Sequence, residues 1–407
     1  MSIPELEGRA RERRWPDGLL ARVIAVNTPR WVIEKWLAGS AADEVLLADI
    51  ERQVGIFEKL ADGTLRAREI TPHDEAGFTA LWALAPEWIG DWEVTVERGP
   101  DALAQFMLHE DPGVNIIEDC GEVVASMAWS SANVVIGGVP TSIHYAMGLR
   151  VAASRRREGL GDVVRRFPRR SLARPSVGQI MFVRLGNENV DQFLNNVGFG
   201  AGAVRPRSLV SVTHLAAAPL EWPAGARKAR PEDFDACAAL INRTHAGLDL
   251  FHPLGEEGLS QRLNRGAWGA TPAWSPVVYG PEDFFVLERR GRIVACAGLW
   301  DRGRDVRELW RHKVRDESMT VSSTVVLDFG CEAERDQELA LLVRGLIGKT
   351  SELGRTCLCI HSETHPALVE ALSDLTQREE PRILEWSPYT LDLKAELGSV
   401  SLDLRYW

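Results

Sequence analysis

The chain repeats itself from about residue 66 onward, and this repeat limits its possible folds more than any other feature. Three short segments return in the same order: Thr71–Asp74 as Arg230–Asp233, Gly121–Ala125 as Gly291–Ala295, and Gly178–Val183 as Gly354–Cys359. The offsets are 159, 170 and 176 positions. Each segment is a proline-led helix start or a glycine turn entering an apolar strand. Their common order predicts a duplicated α/β unit of roughly 150 residues.

The repeat also predicts the domain boundaries of this 407-residue chain. The first segment has helical apolar spacing, with a cap and first-turn proline at Asn27-Thr28-Pro29, and predicts a helical extension. A stretch rich in alanine and proline predicts the linker between the copies. The predicted parts are a helical extension at 1–64, a first domain at 65–214, a linker at 215–226 and a second domain at 227–407.

Composition excludes several classes of protein. Acidic residues outnumber basic ones by 58 to 47, for a net charge of −11, which disfavours a general nucleic-acid binder. No apolar run has the length of a membrane span, and the first residues lack the apolar stretch of a signal peptide. Six cysteines are too few for a disulfide framework in a chain of this length. We therefore expect a cytoplasmic protein without nucleic-acid or membrane partners; the sequence does not indicate its oligomeric state.

The most informative stretch is a glycine-containing loop in the first copy. An apolar strand ending near Val151 leads into Arg156-Arg157-Glu158-Gly159-Leu160-Gly161 and then into a helical segment. Two glycines let the backbone approach a ligand closely, and amides at a helix start attract anions. Nine arginines between residues 150 and 174 reinforce this in an acidic chain. The stretch predicts a polyanionic ligand, and the alternative is a generic glycine-rich turn.

This loop resembles the central motif of the GNAT superfamily of N-acetyltransferases, Val-x-Pro-x-x-(Arg/Gln)-x-x-Gly-x-(Gly/Ala). Val151, Arg156, Gly159 and Gly161 match it in register, with Ala153 at the usual proline. A later family motif, an Asn-led helix closing with Gly-Phe, resembles residues 187–199 at the expected separation. Two motifs at the right spacing are more specific than either alone.

The resemblance implies a fold class, a cofactor and a set of residues that bind it. The expected fold is α/β (α+β), with two GNAT-like mixed-sheet domains in tandem behind the helical extension. The expected acyl donor is acetyl-CoA, whose pyrophosphate would lie on the loop amides and whose pantetheine would pair with the strand edge. The residues implied are Leu149 and Val151 on the strand, Arg156, Arg157, Glu158, Gly159, Leu160 and Gly161 in the loop, and Asn187 in the later motif.

The second copy is predicted to have lost this site. Aligning the copies places Arg335–Ala340 opposite Arg156–Gly161, so that Glu338 stands where Gly159 stands. A side chain and a negative charge there would both oppose pyrophosphate. The closing Gly-Phe becomes Asp374-Leu375. The second unit is expected to keep the fold without the cofactor, as is common in tandem GNAT proteins, which this chain resembles.

The chemistry implied by the resemblance is attack of an amine on the thioester, which needs a base for the ammonium proton and an acid for the thiolate. His144 and Tyr145 lie on the strand leading to Val151, and since neighbouring strand residues face opposite sides, at most one should face the substrate. Glu188 is another candidate. The tyrosine that many family members place before the closing Gly-Phe is Leu194 here, which cannot donate a proton. Pro168 should also end or kink the helix after the loop.

Cys357-x-Cys359-x-His361, with His365 beyond, raises the possibility of zinc, because strand alternation puts the first three on one face. The segment lacks the paired CxxC pattern of structural zinc sites and aligns with a core strand, so we predict no metal.

Together these features predict an acetyl-CoA-dependent N-acetyltransferase that acts on an amine, with a small cationic acceptor favoured. The alternatives are a non-catalytic acyl-CoA-binding or interaction protein, which the missing tyrosine permits, and an enzyme that acetylates a protein terminus or lysine.

Overall fold

The structure is a computed structural model. It describes residues 3–12, 15–25, 33, 43–99, 101–166, 176, 178–184, 203–204, 210–255, 258–263, 279–361, 365–375, 383–391, 397 and 399–401. The predictions that concern Pro168, Asn187, Glu188 and Leu194 lie outside these residues.

The described helices are α1 Ile3–Glu12, α2 Asp17–Ala25, α3 Asp43–Ala61, α4 Glu75–Ala83, α5 Ala104–Met107, α6 Leu160–Arg166, α7 Phe234–Thr244, α8 Gly258–Leu263, α9 Asp336–Glu352 and α10 Pro366–Ala371.

The described strands are β1 Leu65–Glu69, β2 Glu87–Ile89, β3 Trp92–Arg98, β4 Gly113–Asp119, β5 Glu122–Ile136, β6 Val139–Val151, β7 Gln179–Arg184, β8 Ala203–Val204, β9 Val210–Ala216, β10 Ala226–Lys228, β11 Phe284–Arg289, β12 Arg292–Trp300, β13 Val306–His312, β14 Ser318–Val321, β15 Ser323–Cys331, β16 Cys357–His361 and β17 Ile383–Leu391.

The chain divides into two compact units. Unit 1 comprises Met1–Ile70, Asn115–Met127 and Leu149–Phe167, and unit 2 comprises the rest of the chain. Strands β4, β5 and β6 contribute residues to both units.

Unit 1 is a helical cluster joined to a strand pair. Its core consists of apolar side chains from α1, α2 and α3, from the segment between α1 and α2, and from residue 33: Leu6, Ala10, Trp15, Leu19, Val23, Ile33, Ile50 and Val54. Helix α3 contacts β1, which pairs antiparallel with β4 from Leu65 opposite Asp119 to Glu69 opposite Asn115. The described helices of this part of the chain pack their apolar side chains against one another.

Unit 2 contains two sheets. In the larger, the strand order runs β5-β6-β7-β17-β9-β16-β15-β12-β11-β10. Strand β17, near the end of the chain, lies between β7 and β9, with Trp386 opposite both Arg184 and Val210. The smaller sheet has the order β14-β13-β3-β2. Since β3 and β13 come from the two predicted copies, each sheet combines strands from both halves of the sequence.

Two of the three repeated segments adopt matching local structures. The 3₁₀ turns at Pro72–Asp74 and Pro231–Asp233 both begin with proline. In each, the aspartate carboxylate accepts a 2.7 Å hydrogen bond from the amide three residues before it. The β4–β5 and β11–β12 hairpins both close on a two-residue loop whose residues have positive φ, 50° and 89° in one and 52° and 75° in the other. That is the dihedral pattern of a type I′ turn, in which glycine at the second position relieves strain.

The third repeated segment was aligned in the wrong register. The Ala152 amide donates a hydrogen bond to the Val124 carbonyl, and the Glu332 amide donates one to the Val294 carbonyl in the same way. Strands β6 and β15 therefore end at equivalent positions. Parallel pairing then sets His144 against Gln179, and Thr324 against Leu358. The offset between β7 and β16 is therefore 179 rather than 176. The sequence match failed because Gly354, with φ of 68°, follows the last turn of α9 instead of opening a strand.

Candidate functional site

The glycine-containing loop lies in unit 1, between the end of β6 and the start of α6. A short 3₁₀ turn at Ala153–Arg155 follows Val151, and α6 begins at Leu160. Between them the backbone enters the left-handed region twice, at Arg157 (φ 69°) and Gly159 (φ 93°). Gly159 adopts this conformation without strain, whereas Arg157 does so at a cost. The predicted residues 156–161 therefore lie together in one tightly turned segment.

This turn leaves a run of amides available. Arg155 N donates to Ala152 O at 2.8 Å, and Val163 N donates to Gly159 O at 3.2 Å. Between these bonds, the amides of Glu158 through Gly161 donate to no backbone carbonyl among the described residues. Unpaired N–H groups at the start of a helix are suited to an anion such as a phosphate.

Arg155 holds the loop in place. Its guanidinium hydrogen-bonds the Asp119 carboxylate and contacts both oxygens of Glu158, at 2.9 and 2.8 Å. The hydrogen bond from Arg155 keeps the pKa of Asp119 below its ordinary value. Because Glu158 is paired inside the loop, its negative charge is neutralised locally and opposes a bound anion less than an unpaired carboxylate would.

Helix α3 packs against the same loop. Arg52 Nη1 donates a 2.6 Å hydrogen bond to the Arg157 carbonyl. A Cβ placed on Gly159 would lie 3.2 Å from Ile56 Cδ1 and 3.5 Å from Gln53 Cγ. The extension therefore supports the loop, and Gly159 is required both for its φ and for this close approach. Sequence analysis gave the extension no role, because one arginine in a charged helix carries no distinguishing signal.

The equivalent segment of the second copy has become helix. Arg335 pairs with Glu338 at 2.9 Å, as Arg155 pairs with Glu158, so Glu338 corresponds to Glu158 and not to Gly159. Helix α9 begins at Asp336, and the amides of Glu338 and Leu339 donate to Arg335 O at 3.0 and 3.3 Å. The expected loss of the phosphate loop thus has a different physical reason: its amides are paired inside a helix.

His144 and Tyr145 lie on the part of β6 that belongs to unit 2, and both are buried. His144 Nδ1 is 3.2 Å from Ser176 Oγ. The Tyr145 ring stacks between Phe182, at 6.1 Å, and His252, at 5.8 Å. Pairing between β6 and β7 covers only His144 and Tyr145 among the described residues, so the two strands part just beyond them.

A cavity in unit 2 adjoins this stack. Its volume is about 430 Å³ when the open solvent at its mouth is counted, and His252 is one of its lining residues. Other polar groups that line it are His245, His361, Arg262, Asp328 and Ser401. They come from α7, β16, α8, β15 and the end of the chain, segments in which sequence analysis found no shared motif.

A buried ion pair organises the cavity wall. Arg262 Nη1 is 2.6 Å from Asp328 Oδ1, and Tyr279 donates to Asp328 Oδ2 at 3.2 Å. Tyr279 reaches Asp328 because residue 298 is glycine: a Cβ there would lie 1.9 Å from the tyrosine oxygen. Burial above all, together with the nearby His245 and His365, lowers the pKa of His361 to about 3. The His361 imidazole is therefore neutral at physiological pH.

A second group of reactive side chains is fully enclosed in unit 2. One ligand atom from each of His214, Cys357 and Cys359 lies within 4.8 Å of the others. His361 follows on the same strand but lines the cavity instead. The sequence pattern thus found two members of this cluster and missed His214, which another strand supplies.

Comparisons with known proteins place the fold. Two structures of N-myristoyltransferase from Saccharomyces cerevisiae with bound myristoyl-CoA match at 11% and 10% identity, with TM-scores of 0.57 and 0.55. They cover 84% and 83% of this chain, and 86% and 85% of their own. A GCN5-related N-acetyltransferase from Sphaerobacter thermophilus matches at 13% identity over 83% of this chain and 98% of its own, with a TM-score of 0.45. No protein-family model and no curated protein sequence matches the chain.

No helix among the described residues combines the length and apolarity that a membrane crossing requires.

Proposed function

The chain has a tandem GNAT fold, and on that basis we propose that it is an acyl-CoA-dependent N-acyltransferase, with acetyl-CoA as donor and a small cationic amine as acceptor. The observation that carries this proposal is the loop of unit 1, whose amides from Glu158 to Gly161 have no backbone carbonyl partner among the described residues. Leu149 and Val151, just before it on β6, are the residues proposed to pair with the pantetheine arm.

The cavity in unit 2 is the proposed site of the acceptor. Asp328 is the carboxylate among its lining residues. Arg262 pairs with one carboxylate oxygen and Tyr279 donates to the other, and this carboxylate is the acidic group proposed to face the ammonium group of the acceptor. The neutral imidazole of His361 in the wall accepts a hydrogen bond without repelling a cation.

In the proposed reaction, the ammonium group first loses a proton to water, and the neutral amine attacks the thioester carbonyl carbon. The tetrahedral intermediate then loses a second N–H proton to water as the C–S bond breaks and the CoA thiolate leaves. Tyr145 is the proposed proton donor to the thiolate, because its ring stacks on His252 at the cavity and His144 is engaged with Ser176. A thiol has a pKa of about 8.5, so the thiolate needs only modest assistance to leave near neutral pH.

One structural observation favours a second candidate, a protein N-acyltransferase with a longer-chain donor. The fold resembles that of N-myristoyltransferase over 84% of this chain. Resemblance at this identity shows the fold alone, so donor length and acceptor are separated only by experiment. A non-catalytic acyl-CoA-binding role is the third outcome, and the cytoplasmic location and domain boundaries given above stay predictions.

The test is CoA release followed by mass spectrometry, with acetyl-, butyryl- and myristoyl-CoA, each offered to small polyamines and to peptides with a free N-terminus. We expect turnover with acetyl-CoA and a small polyamine, and none with the Gly159→Glu variant. Preferential turnover of myristoyl-CoA with peptides would favour the second candidate. Binding of acyl-CoA without release from any pair would identify a binding protein.

A further inference from the structure

The enclosed cluster of His214, Cys357 and Cys359 has the composition and geometry of a metal site. Cys357 and Cys359 alternate along β16, so both thiols project from one face of the sheet. The antiparallel register with β9 sets His214 directly opposite Cys359. Leu358 and Leu215, at alternate positions on the same two strands, belong to the core on the opposite face.

The spacing of the ligand atoms is close to that of a tetrahedral zinc site. Zinc binds thiolate sulfur at about 2.3 Å and imidazole nitrogen at about 2.0 Å, which puts ligand atoms roughly 3.3 to 3.8 Å apart. The three ligand atoms here lie within 4.8 Å of one another. Side-chain rotations that move each ligand atom by less than about 1 Å would bring the three atoms to coordination distance from one ion.

Charge favours a divalent ion. Both cysteines are completely buried and His214 is almost so. Two thiolates and a neutral imidazole around a divalent cation sum to zero, which a low-dielectric interior tolerates, whereas a monovalent ion would leave one net charge buried. Soft sulfur with one nitrogen is the ligand set that zinc accepts.

Ser323 provides an oxygen beside the cluster. The parallel register sets it opposite Cys357, on the same face of the sheet. A coordinated divalent metal deprotonates its thiol ligands outright, so both cysteines would bind as thiolates.

We propose that His214, Cys357 and Cys359 form a structural site for a divalent zinc-like cation that pins β9 to β16, with Ser323 at the fourth position. The ion would link two strands from different halves of the sequence within unit 2, and would stabilise that junction because it binds the folded chain and not the unfolded one. This revises the sequence-based prediction of no metal, and it is independent of the proposed acyl transfer.

The test uses the full chain without a histidine tag and with the exposed Cys120 changed to serine in every protein, so that adventitious thiol binding is removed. After treatment with a chelator, zinc(II) is titrated against a chromophoric competitor, and cobalt(II) is used as a spectroscopic probe. We expect one ion per chain, a thiolate-to-cobalt charge-transfer band and a higher melting midpoint with zinc. In Cys359→Ser the charge-transfer band should fall by about half or vanish, and zinc affinity should drop at least tenfold.

The matched control is Cys296→Ser, another completely buried thiol, which should keep the ion and its spectrum. X-ray absorption of the unsubstituted, zinc-loaded chain tests the ligand set should the variants fail to fold, and it should report two sulfur neighbours at about 2.3 Å and a nitrogen at about 2.0 Å. The proposal is wrong if no stoichiometric ion binds, if binding survives Cys359→Ser unchanged, or if the absorption spectrum shows only oxygen and nitrogen neighbours.

Discussion

The loops after β6 and after β15 begin alike and end differently. In both, the first amide returns to the strand of the preceding hairpin, and an arginine pairs with a glutamate three residues on. In the first copy the chain then makes the left-handed turn at Gly159 before its helix begins. In the second copy the helix begins at once and Leu339, at the equivalent position, is buried in the core.

The difference indicates which features the proposed phosphate site depends on. The salt bridge and the strand ending are not sufficient for the site, because the second copy keeps both and yet has no run of available amides. The second copy lacks the additional turn that separates the salt-bridged arginine from the helix. In the first copy this turn depends on Gly159, which has a positive φ and lies against α3. An earlier start of the helix is therefore enough to remove the available amides, without a negatively charged side chain in place of the glycine.

The largest expected effect comes from Gly159→Glu. A side chain there has an unfavourable φ, lies tightly against Ile56 and places a carboxylate beside the available amides. We expect acyl-CoA affinity to fall by about 1000-fold or more in calorimetry, a loss of about 4 kcal/mol.

The matched control is Gly291→Glu, at a turn glycine with φ of 75° and no atom within 4 Å of its missing Cβ. It imposes similar backbone strain away from the loop and should bind acyl-CoA normally. Equal affinities in the two variants would show that the loop does not bind the cofactor.

Acid should destabilise the second copy. The pKa of His361 is lowered to about 3 by burial, so the folded chain binds fewer protons than the unfolded chain below the ordinary histidine pKa of about 6.5. Stability is therefore complete above about pH 6.5 and falls as the pH drops towards 3, with a loss of about 3 kcal/mol at pH 4 from this residue.

Chemical denaturation followed between pH 4 and 7 measures this loss. His361→Gln should flatten the dependence, although burial of His365, whose pKa is also lowered, leaves a residual slope. A variant with the slope of the unsubstituted chain would show that His361 is not buried in its neutral form.

Tyr145→Phe should separate catalysis from binding. The substitution keeps the stack with Phe182 and His252 and removes only the hydroxyl, a group that the equivalent Val325 of the second copy also lacks. We expect kcat to fall by about tenfold or more, with acyl-CoA affinity changed by less than about twofold. Turnover that matches the unsubstituted enzyme across pH 6 to 9 would leave water as the acid.

The smallest expected effect comes from Arg52→Met, which removes the hydrogen bond to the Arg157 carbonyl and keeps the aliphatic stem. One charged hydrogen bond at an exposed position contributes about 0.5 to 1.5 kcal/mol, so acyl-CoA affinity should fall by about three- to tenfold. Lys59→Met, on the exposed surface of the same helix, is the control. Equal affinities in the two variants would mean that α3 does not order the loop.

Local signals in the sequence predicted much of this fold. The proline-led turns and glycine hairpins are specified by a few adjacent residues, so two of the three repeats matched correctly. The third failed because a glycine that ends a helix looks like one that opens a strand. The insertion of β17 between β7 and β9 could not be predicted, because strand order depends on contacts between distant residues.

The candidate sites also differ in whether adjacent residues or contacts between distant residues form them. The loop proposed to bind phosphate is one continuous segment, so a motif within it can indicate the site. The cavity draws His245, Arg262 and Asp328 from three separate segments, and the proposed metal cluster takes His214 from a neighbouring strand. Nothing within any single segment marks these residues as partners, and only the fold brings them together.

The contrast between the two copies is tested most directly by counting acyl-CoA sites. Calorimetric titration of the purified chain with acetyl-CoA should give one site per chain, and Gly159→Glu should remove it while Leu339→Ala leaves it intact. Two sites per chain, or one site that persists in Gly159→Glu, would contradict the assignment of cofactor binding to the loop of the first copy.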